Sequence, residues 1–342
     1  MKKSLRSIAS TLAGLTLATT ATSVQAATVT VSPLDMGSWS SAVGSGDGVV
    51  EFVGGPGTAP LGLGSARLFT GSAGDGLVEL CDASAAGVRL DELTELGFST
   101  WATSSSADGK LVPSLALDVD HDGNGAADDT IHFEPAWQNP VDGNAALPDQ
   151  GAVALGTWQS WDALAGGWWS ESALDGSSRG SGVKALADYL AVAPEATIVF
   201  GVCLGLGGGL ASDVLDGNVD AFTMGVSGAE ATTSDFEPAD SDGDGVIDED
   251  DACPASDLSQ STVVLGTCDS GVANTFFPNG CSVLDLAGQC LANAKNHGKF
   301  VSCVSKMTNG LKKSGVITGN QKGKIQSCAA RMKKSSPKPK KK

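Results

Sequence analysis

Histidine is nearly absent from this chain, with only His121, His132 and His297 in 342 residues. A Ser-His-Asp triad or a histidine-based zinc site therefore has few candidates to draw on. No Cys-x-x-Cys pair occurs and no cysteine stands beside a histidine, which removes the usual zinc-thiolate motifs. No apolar run approaches the roughly 20 residues that span a bilayer, so no transmembrane anchor is expected. The glycine run Gly205 to Gly209 is not followed by a helix with phosphate-binding features, which argues against a nucleotide partner. Basic residues are also missing from most of the chain. Only five Lys or Arg lie between residues 27 and 290, against all 39 acidic residues, giving that region a net charge of about −34. Acidic residues are missing in turn from Leu291 to Lys342, which holds fourteen Lys or Arg. The two regions must attract each other or be neutralised from outside. Bound Ca²⁺ suits the acidic part; an anionic surface, or the protein's own acidic body, suits the basic C-terminus.

The segments present point to export. Lys2, Lys3 and Arg6 precede an apolar run from Ile8 to about Leu17, and Val24-Gln25-Ala26 follows as a small-residue cleavage site. This is the pattern of a secretory signal peptide over residues 1–26. Eight cysteines, Cys81, Cys203, Cys253, Cys268, Cys281, Cys290, Cys303 and Cys328, form an even set that reads as disulfides in an oxidising, extracellular or cell-surface setting. Their pairing is open, including whether Cys81 and Cys203 meet.

From residue 27 to about 232, short apolar runs alternate with Gly-, Ser- and Thr-rich turns, which reads as all-β. Strands are expected at Thr28 to Val31, Ala66 to Thr70, Leu77 to Leu80, Gly97 to Thr100, Leu111 to Val119, Thr130 to Phe133, Thr197 to Leu204 and Val219 to Val226. Such a set suits a jelly-roll β-sandwich. One helix, Val183 to Val192, is stopped by Pro194. Residues 233–280 are Asp-dominated and read as a Ca²⁺-ordered linker without a core of its own. Residues 281–332 show helical spacing in three stretches, a small helical module. The Lys-rich end, 333–342, cannot bury anything and is expected to be disordered.

Two loops carry the chemistry. In Asp240-Ser-Asp242-Gly-Asp244-Gly-Val246-Ile-Asp248-Glu-Asp-Asp251, acidic oxygens alternate around Gly245, which permits the sharp turn a hard cation needs. Asp240, Asp242, Asp244, Asp248 and Asp251, with the Val246 carbonyl, are the candidate ligands. The segment from Asp118 to Asp129 repeats the register, with Asp118, Asp120, Asp122, Asn124 and Asp129 as candidates. It joins two expected strands, so a metal-free hairpin turn is a rival reading there. Trp137, Trp158, Trp161, Trp168 and Trp169 cluster in one region and serve either as core or as stacking platforms for sugar rings. Trp168 and Trp169 must face opposite ways on a strand. A carboxylate-pair glycosidase needs only two suitably spaced acids. No Glu-x-Asp-x-Glu signature supports one, and Glu92 and Glu95 read as a turn.

The stretch Asp240 to Pro254 closely resembles a thrombospondin type-3 calcium repeat. The resemblance implies an extended segment wrapped around Ca²⁺ in proteins of extracellular adhesion, with Cys253 in a bridge; Cys268 is the nearest partner. The region around Asp216-Gly-Asn-Val-Asp-Ala-Phe-Thr-Met-Gly225 and Trp158 to Trp169 resembles secreted bacterial jelly-roll domains of the concanavalin or carbohydrate-binding type. That implies a structural rather than catalytic Asp220. Asn279 to Arg331 is similar to a module that follows such calcium repeats in secreted bacterial proteins and adds no activity. The expectation is a secreted, calcium-binding, non-catalytic adhesion protein that contacts glycans or a cell-surface partner through its β-sandwich. The alternative is an extracellular polysaccharide-cleaving enzyme on the same scaffold.

Overall fold

The structure, a computed structural model, describes residues 26–73, 76–106, 109–208 and 213–332. Residues 1–25 of the expected signal peptide and the tail 333–342 lie outside them. The chain is mainly β, with helices at its C-terminal end. In order the strands are β1 (Ala27–Val31), β2 (Trp39–Ser45), β3 (Val49–Gly54), β4 (Gly64–Phe69), β5 (Leu77–Asp82), β6 (Leu93–Ser104), β7 (Ser114–Asp120) and β8 (Asp129–Phe133). They continue as β9 (Trp158–Asp162), β10 (Gly167–Ser170), β11 (Lys184–Ala185), β12 (Thr197–Gly207), β13 (Asp216–Val226), β14 (Thr232–Phe236), β15 (Thr262–Leu265) and β16 (Cys268–Ala273). A short helix α1 (Leu186–Val192) precedes β12, and α2 (Val283–Asn293), α3 (His297–Lys313) and α4 (Gly319–Arg331) close the described chain.

Two seven-stranded sheets share one core. The first runs β1-β14-β13-β4-β3, with β6 on the other side of β13 and β9 beyond it. The second runs β11-β10-β8-β7-β12-β5-β2. Leu68, Leu96, Phe98, Val219, Phe222 and Phe236 of the first sheet meet Leu80, Leu115, Leu117, Val119, Ile131, Phe133 and Leu204 of the second. β7 shows how the sequence enforces this. Leu115, Leu117 and Val119 are buried while Ser114, Ala116 and Asp118 lie on the other face, the period of two that strand geometry requires. Trp39 packs edge-on against Phe222 and Phe236 and donates its Nε1 to Ser234 Oγ.

Most expected strands are present. β2 and β14 are not expected from the sequence because their Ser-, Gly- and Thr-rich stretches carry little hydrophobic alternation, and β3, β9 and β10 because they are only four to six residues long and do not alternate cleanly. The expected helix begins three residues late, since Lys184 and Ala185 pair with β10 instead.

The Asp-rich stretch ends differently from expectation. β15 and β16 form a hairpin within residues 233–280, and its Val263, Leu265 and Val272 join a second core with Val283, Phe300, Val304, Leu311, Ile325 and Ala329 of the helices. A four-residue apolar strand between polar turns was too short to be read as core. The disulfide pattern follows the same logic. Cys253 bonds Cys281, Cys268 bonds Cys328 and Cys290 bonds Cys303. The expected Cys253–Cys268 bridge is therefore corrected: folding the hairpin onto α4 brings Cys268 to Cys328, and the turn before α2 brings Cys281 to Cys253. Cys81 and Cys203 sit directly opposite on β5 and β12 and are bonded.

Candidate metal centres and a sheet-face cleft

The two Asp loops fold into the same turn. In the segment after β14, Asp240 Oδ1 accepts from Gly243 N and Oδ2 from Gly245 N, Asp242 Oδ1 from Asp244 N, and Asp244 Oδ1 from Val246 N. Between β7 and β8, Asp120 Oδ1 accepts from Gly123 N and Oδ2 from Gly125 N, Asp122 Oδ1 from Asn124 N, and Asn124 Oδ1 from Ala126 N. The glycines are required by conformation, not by space. Gly243, Gly245, Gly123 and Gly125 have φ from 75° to 89°, and an added Cβ would meet nothing within 4 Å. The ninth residue closes both turns: Asp248 accepts from Ser241 N and Oγ, and Asp128 Oδ2 accepts from His121 N.

This match moves the frame of the first loop by two residues. Its first position is Asp120, not Asp118. One carboxylate oxygen each from Asp120, Asp122 and Asp128 lies within 4.8 Å of the others, as do those of Asp240, Asp242 and Asp244. Either trio can hold a metal ion. Asp118 instead accepts from Thr130 Oγ1 across the β7–β8 pair. Asp129 is buried at the start of β8, where Ser170 Oγ, Ser172 N and Tyr189 OH donate to it. Burial pushes its pKa up, but those donors together hold it below the ordinary value. Asp118 and Asp129 are thus tied up in the sandwich, and Asp128 takes the place expected of them.

The electrostatics of the loops differ. At Asp120 the N–H groups of Gly125 and Gly123 lower the carboxyl pKa. At Asp244 burial raises it, and Asp242, Asp251 and Asp240 add to the rise. Four carboxylates crowd there with no cationic side chain in ion-pair range among the described residues. Asp251 completes the picture. Its Oδ1 accepts from Cys253 N, while its Oδ2 is buried without a partner. The Gly280 backbone closes over it so tightly that a Cβ would lie 1.9 Å from Oδ1. An orphaned carboxylate oxygen beside three converging Asp side chains is a donor set that fits a hard cation. The loop is anchored at both ends. Ile247 lies against Gly54 of β3, and Asp242 Oδ2 accepts from Ser256 N, whose hydroxyl in turn donates to Asp285 at the start of α2.

The tryptophans divide. Trp161 and Trp168 are buried core residues, with Nε1 donating to Thr100 Oγ1 and Ala163 O. Trp158 lies against Trp101 and donates to Pro56 O. Trp169 turns outward beside Trp168, as the strand period demands. It lines a cleft of about 150 Å³ on the outer face of the second sheet, with Glu79, Lys110, Ser114, Ala116, His132, Glu134, Glu171, Arg179 and Gly205.

Strand register builds this cleft. Gly205 pairs with Glu79 on one side and Ser114 on the other, and Ala116 pairs with His132, which pairs with Trp169. Small residues form the floor, and Glu79 and the His132–Trp169 stack, 4.3 Å between rings, form the walls. Arg179 lies over both Trp169 and Trp137 and pairs with Glu134; Lys110 also lies over Trp137. The Trp169 Nε1 has no partner and is buried. Burial raises the Glu79 pKa, Asp118 reinforces the rise and His132 opposes it. The sequence reading missed Glu79, Glu134 and Arg179, because only the register of β5, β12, β7 and β8 brings them to one face.

No family model matches the chain, and no curated protein matches it. Among solved structures, similarity extends to a β-1,2-glucanase from Parabacteroides distasonis, at 11% identity and a TM-score of 0.27, over 59% of this chain and 23% of that one. It also extends to a structure of domains CD (residues 230-489), at 11% identity and a TM-score of 0.27, over 55% of this chain and 63% of that one.

Proposed function

We propose that this is a secreted, Ca²⁺-binding, non-catalytic protein of the extracellular or cell-surface space, whose jelly-roll sandwich contacts glycan and whose Asp240–Asp251 segment is a thrombospondin type-3-like calcium repeat. The observation that carries the metal reading is the recurrence of one turn, hydrogen bond for hydrogen bond, at Asp120–Asp128 and Asp240–Asp248. Oxygen-only donor sets of this charge favour Ca²⁺ over softer metals. Four disulfides, and no helix among the described residues long and apolar enough to cross a membrane, support the compartment. Ligand contact is assigned to the cleft around Trp169 and Trp137. There the carboxylates of Glu79, Glu134 and Glu171 and the cationic Lys110 and Arg179 side chains offer hydrogen-bond partners to the hydroxyls of a sugar, beside a wall held by the stacked His132 and Trp169.

Calcium titration by calorimetry, paired with thermal unfolding in calcium and in chelator, tests the metal reading. Binding with a raised unfolding midpoint supports it, since a ligand that binds only the folded chain stabilises it by mass action. No heat and no shift would remove it. The second reading, polysaccharide cleavage, draws on the raised pKa of Glu79 in a cleft that also holds Glu134 and Glu171. Loss of turnover in Glu79→Gln with saccharide binding kept would favour cleavage; absence of turnover in the native chain on neutral and acidic polysaccharides favours binding alone.

A further inference from the structure

A third group of carboxylates lies inside the sandwich, apart from both loops. β13 changes neighbours midway: Asp216 to Val219 pair with β4, and Phe222 to Met224 pair with β14. Ala221 between them is left-handed, at φ 51°. In the fork that this opens, Asp220 is fully buried, with Oδ1 accepting from Phe236 N at 3.1 Å and Oδ2 from Leu61 N at 2.9 Å. Asp235 on β14 is only 9% exposed, and its Oδ1 is buried without a partner. Glu237, two residues on and therefore on the same side of the extended chain, accepts from Leu63 N at 2.6 Å through Oε1.

The turn between β3 and β4 closes over this group. A Cβ at Gly62, where φ is 50°, would lie 1.4 Å from Glu237 Oε1 and 3.0 Å from Asp235 Oδ1, so the Glu237 carboxylate fills the space that only glycine leaves and Asp235 Oδ1 borders it. Residues 55 to 63 carry no charged side chain. Among the described residues, no Lys, Arg or His pairs with Asp220, Asp235 or Glu237. Charges withdrawn from water without a counter-charge are strongly unfavourable, so the orphaned Asp235 oxygen needs either a proton shared with the Glu237 carboxyl beside it or a bound cation.

We propose that Asp235 and Glu237, closed over by the Gly62 turn and backed by Asp220, form a third site for a hard divalent cation of the Ca²⁺ class. Carboxylate oxygens supply the charge such an ion prefers, and water completes its shell. The ion ties the end of β14 to the β3–β4 turn, one residue before Pro238, which packs against Gly64 as the chain enters the Asp240 loop. The site stands independently of the two loops.

The test is native mass spectrometry of the full chain in Ca²⁺, counting bound ions. Asp120→Asn and Asp122→Asn combined with Asp240→Asn and Asp242→Asn remove two of the three converging carboxylates of each loop and with them loop binding; the expected result is one ion retained. Adding Asp235→Asn, or in a separate variant Glu237→Gln, is expected to remove that ion, with circular dichroism verifying the fold. Two results overturn the proposal. One is no ion retained by the loop variant. The other is an ion count unchanged by both Asp235→Asn and Glu237→Gln, with a raised unfolding midpoint at neutral pH, which means the carboxyl pair holds a shared proton instead. A native chain that binds one ion only, and keeps it in the loop variant, would count against the loop reading and leave this site untouched.

Discussion

Asp129 and Asp251 occupy the twelfth position of the same apparent sequence register, and their surroundings give them opposite duties. Asp129 is saturated by Ser170, Ser172 and Tyr189, whereas Asp251 keeps one buried oxygen without a partner. Asp242→Asn is therefore expected to weaken Ca²⁺ binding by about tenfold or more, because ligand charge sets the affinity of such loops; calorimetry checks it, and Asp118→Asn should leave affinity unchanged. Glu79 gives a pH signature. Its folded pKa is raised above the ordinary 4.5, so the native state holds the proton more tightly than the unfolded chain. The resulting stabilisation is present at low pH and is lost as pH rises through the folded pKa. Glu79→Gln should raise the unfolding midpoint at pH 7 and leave it nearly unchanged below pH 4. Calorimetry at both pH values reads this, and equal shifts would contradict it.

At the scale of elements, adjacency on β10 separates two roles. Trp168 faces the core and Trp169 the cleft, and the same contrast holds between Trp161 and Trp169. Trp161→Ala should cost about 3–5 kcal/mol in denaturant unfolding, as large core truncations do. Trp169→Ala should cost only about 1 kcal/mol, for lost stacking with His132 and Arg179, while abolishing retention on immobilised saccharide. Retention unchanged would move the ligand site elsewhere, with the Trp101–Trp158 pair on the first sheet as the next place to look. The helices were more legible than the hairpin. α2 opens on a capping box at Ser282 and Asp285, and α4 on one at Thr318 and Gln321, local signals whose two residues stand three positions apart. β15 and β16 have no such signal, and their burial depends on helices up to 60 residues away in sequence.

On the scale of the whole molecule, two cores and four bridges divide the chain. Cys81–Cys203 lies in the sandwich, Cys253–Cys281 and Cys268–Cys328 staple the C-terminal module to the end of the Asp-rich segment, and Cys290–Cys303 ties α2 to α3 within it. Replacing Cys268 and Cys328 by Ser should lower the stability of the module by about 4 kcal/mol, as expected for a loop of this length. The sandwich should keep its own transition, visible as two separate steps in calorimetry; a single shifted step would mean that the cores unfold together. The charge division is equally global. All eight ion pairs among the described residues involve the sandwich, so the basic helices are neutralised by none of them.

By itself the sequence determined what short-range physics can determine. Alternation along β7 set a buried and an open face, Asp-x-Asp-Gly spacing set the loop turns, and helical periodicity set α2 to α4. These are properties of neighbouring residues, and neighbouring residues are all that a sequence displays directly. Only the tertiary structure decided the rest. It assigned Asp128 rather than Asp129 to the first loop, through a hydrogen-bond frame that Tyr189 and Ser170 complete from other elements. It chose Cys281 for Cys253 and Cys328 for Cys268, because distances between cysteines depend on how the hairpin packs on α4. It gathered Glu79, His132, Trp169 and Arg179 into one cleft, and Asp220, Asp235 and Glu237 into one fork. Long-range register brings such groups together, and no local pattern along the chain encodes it.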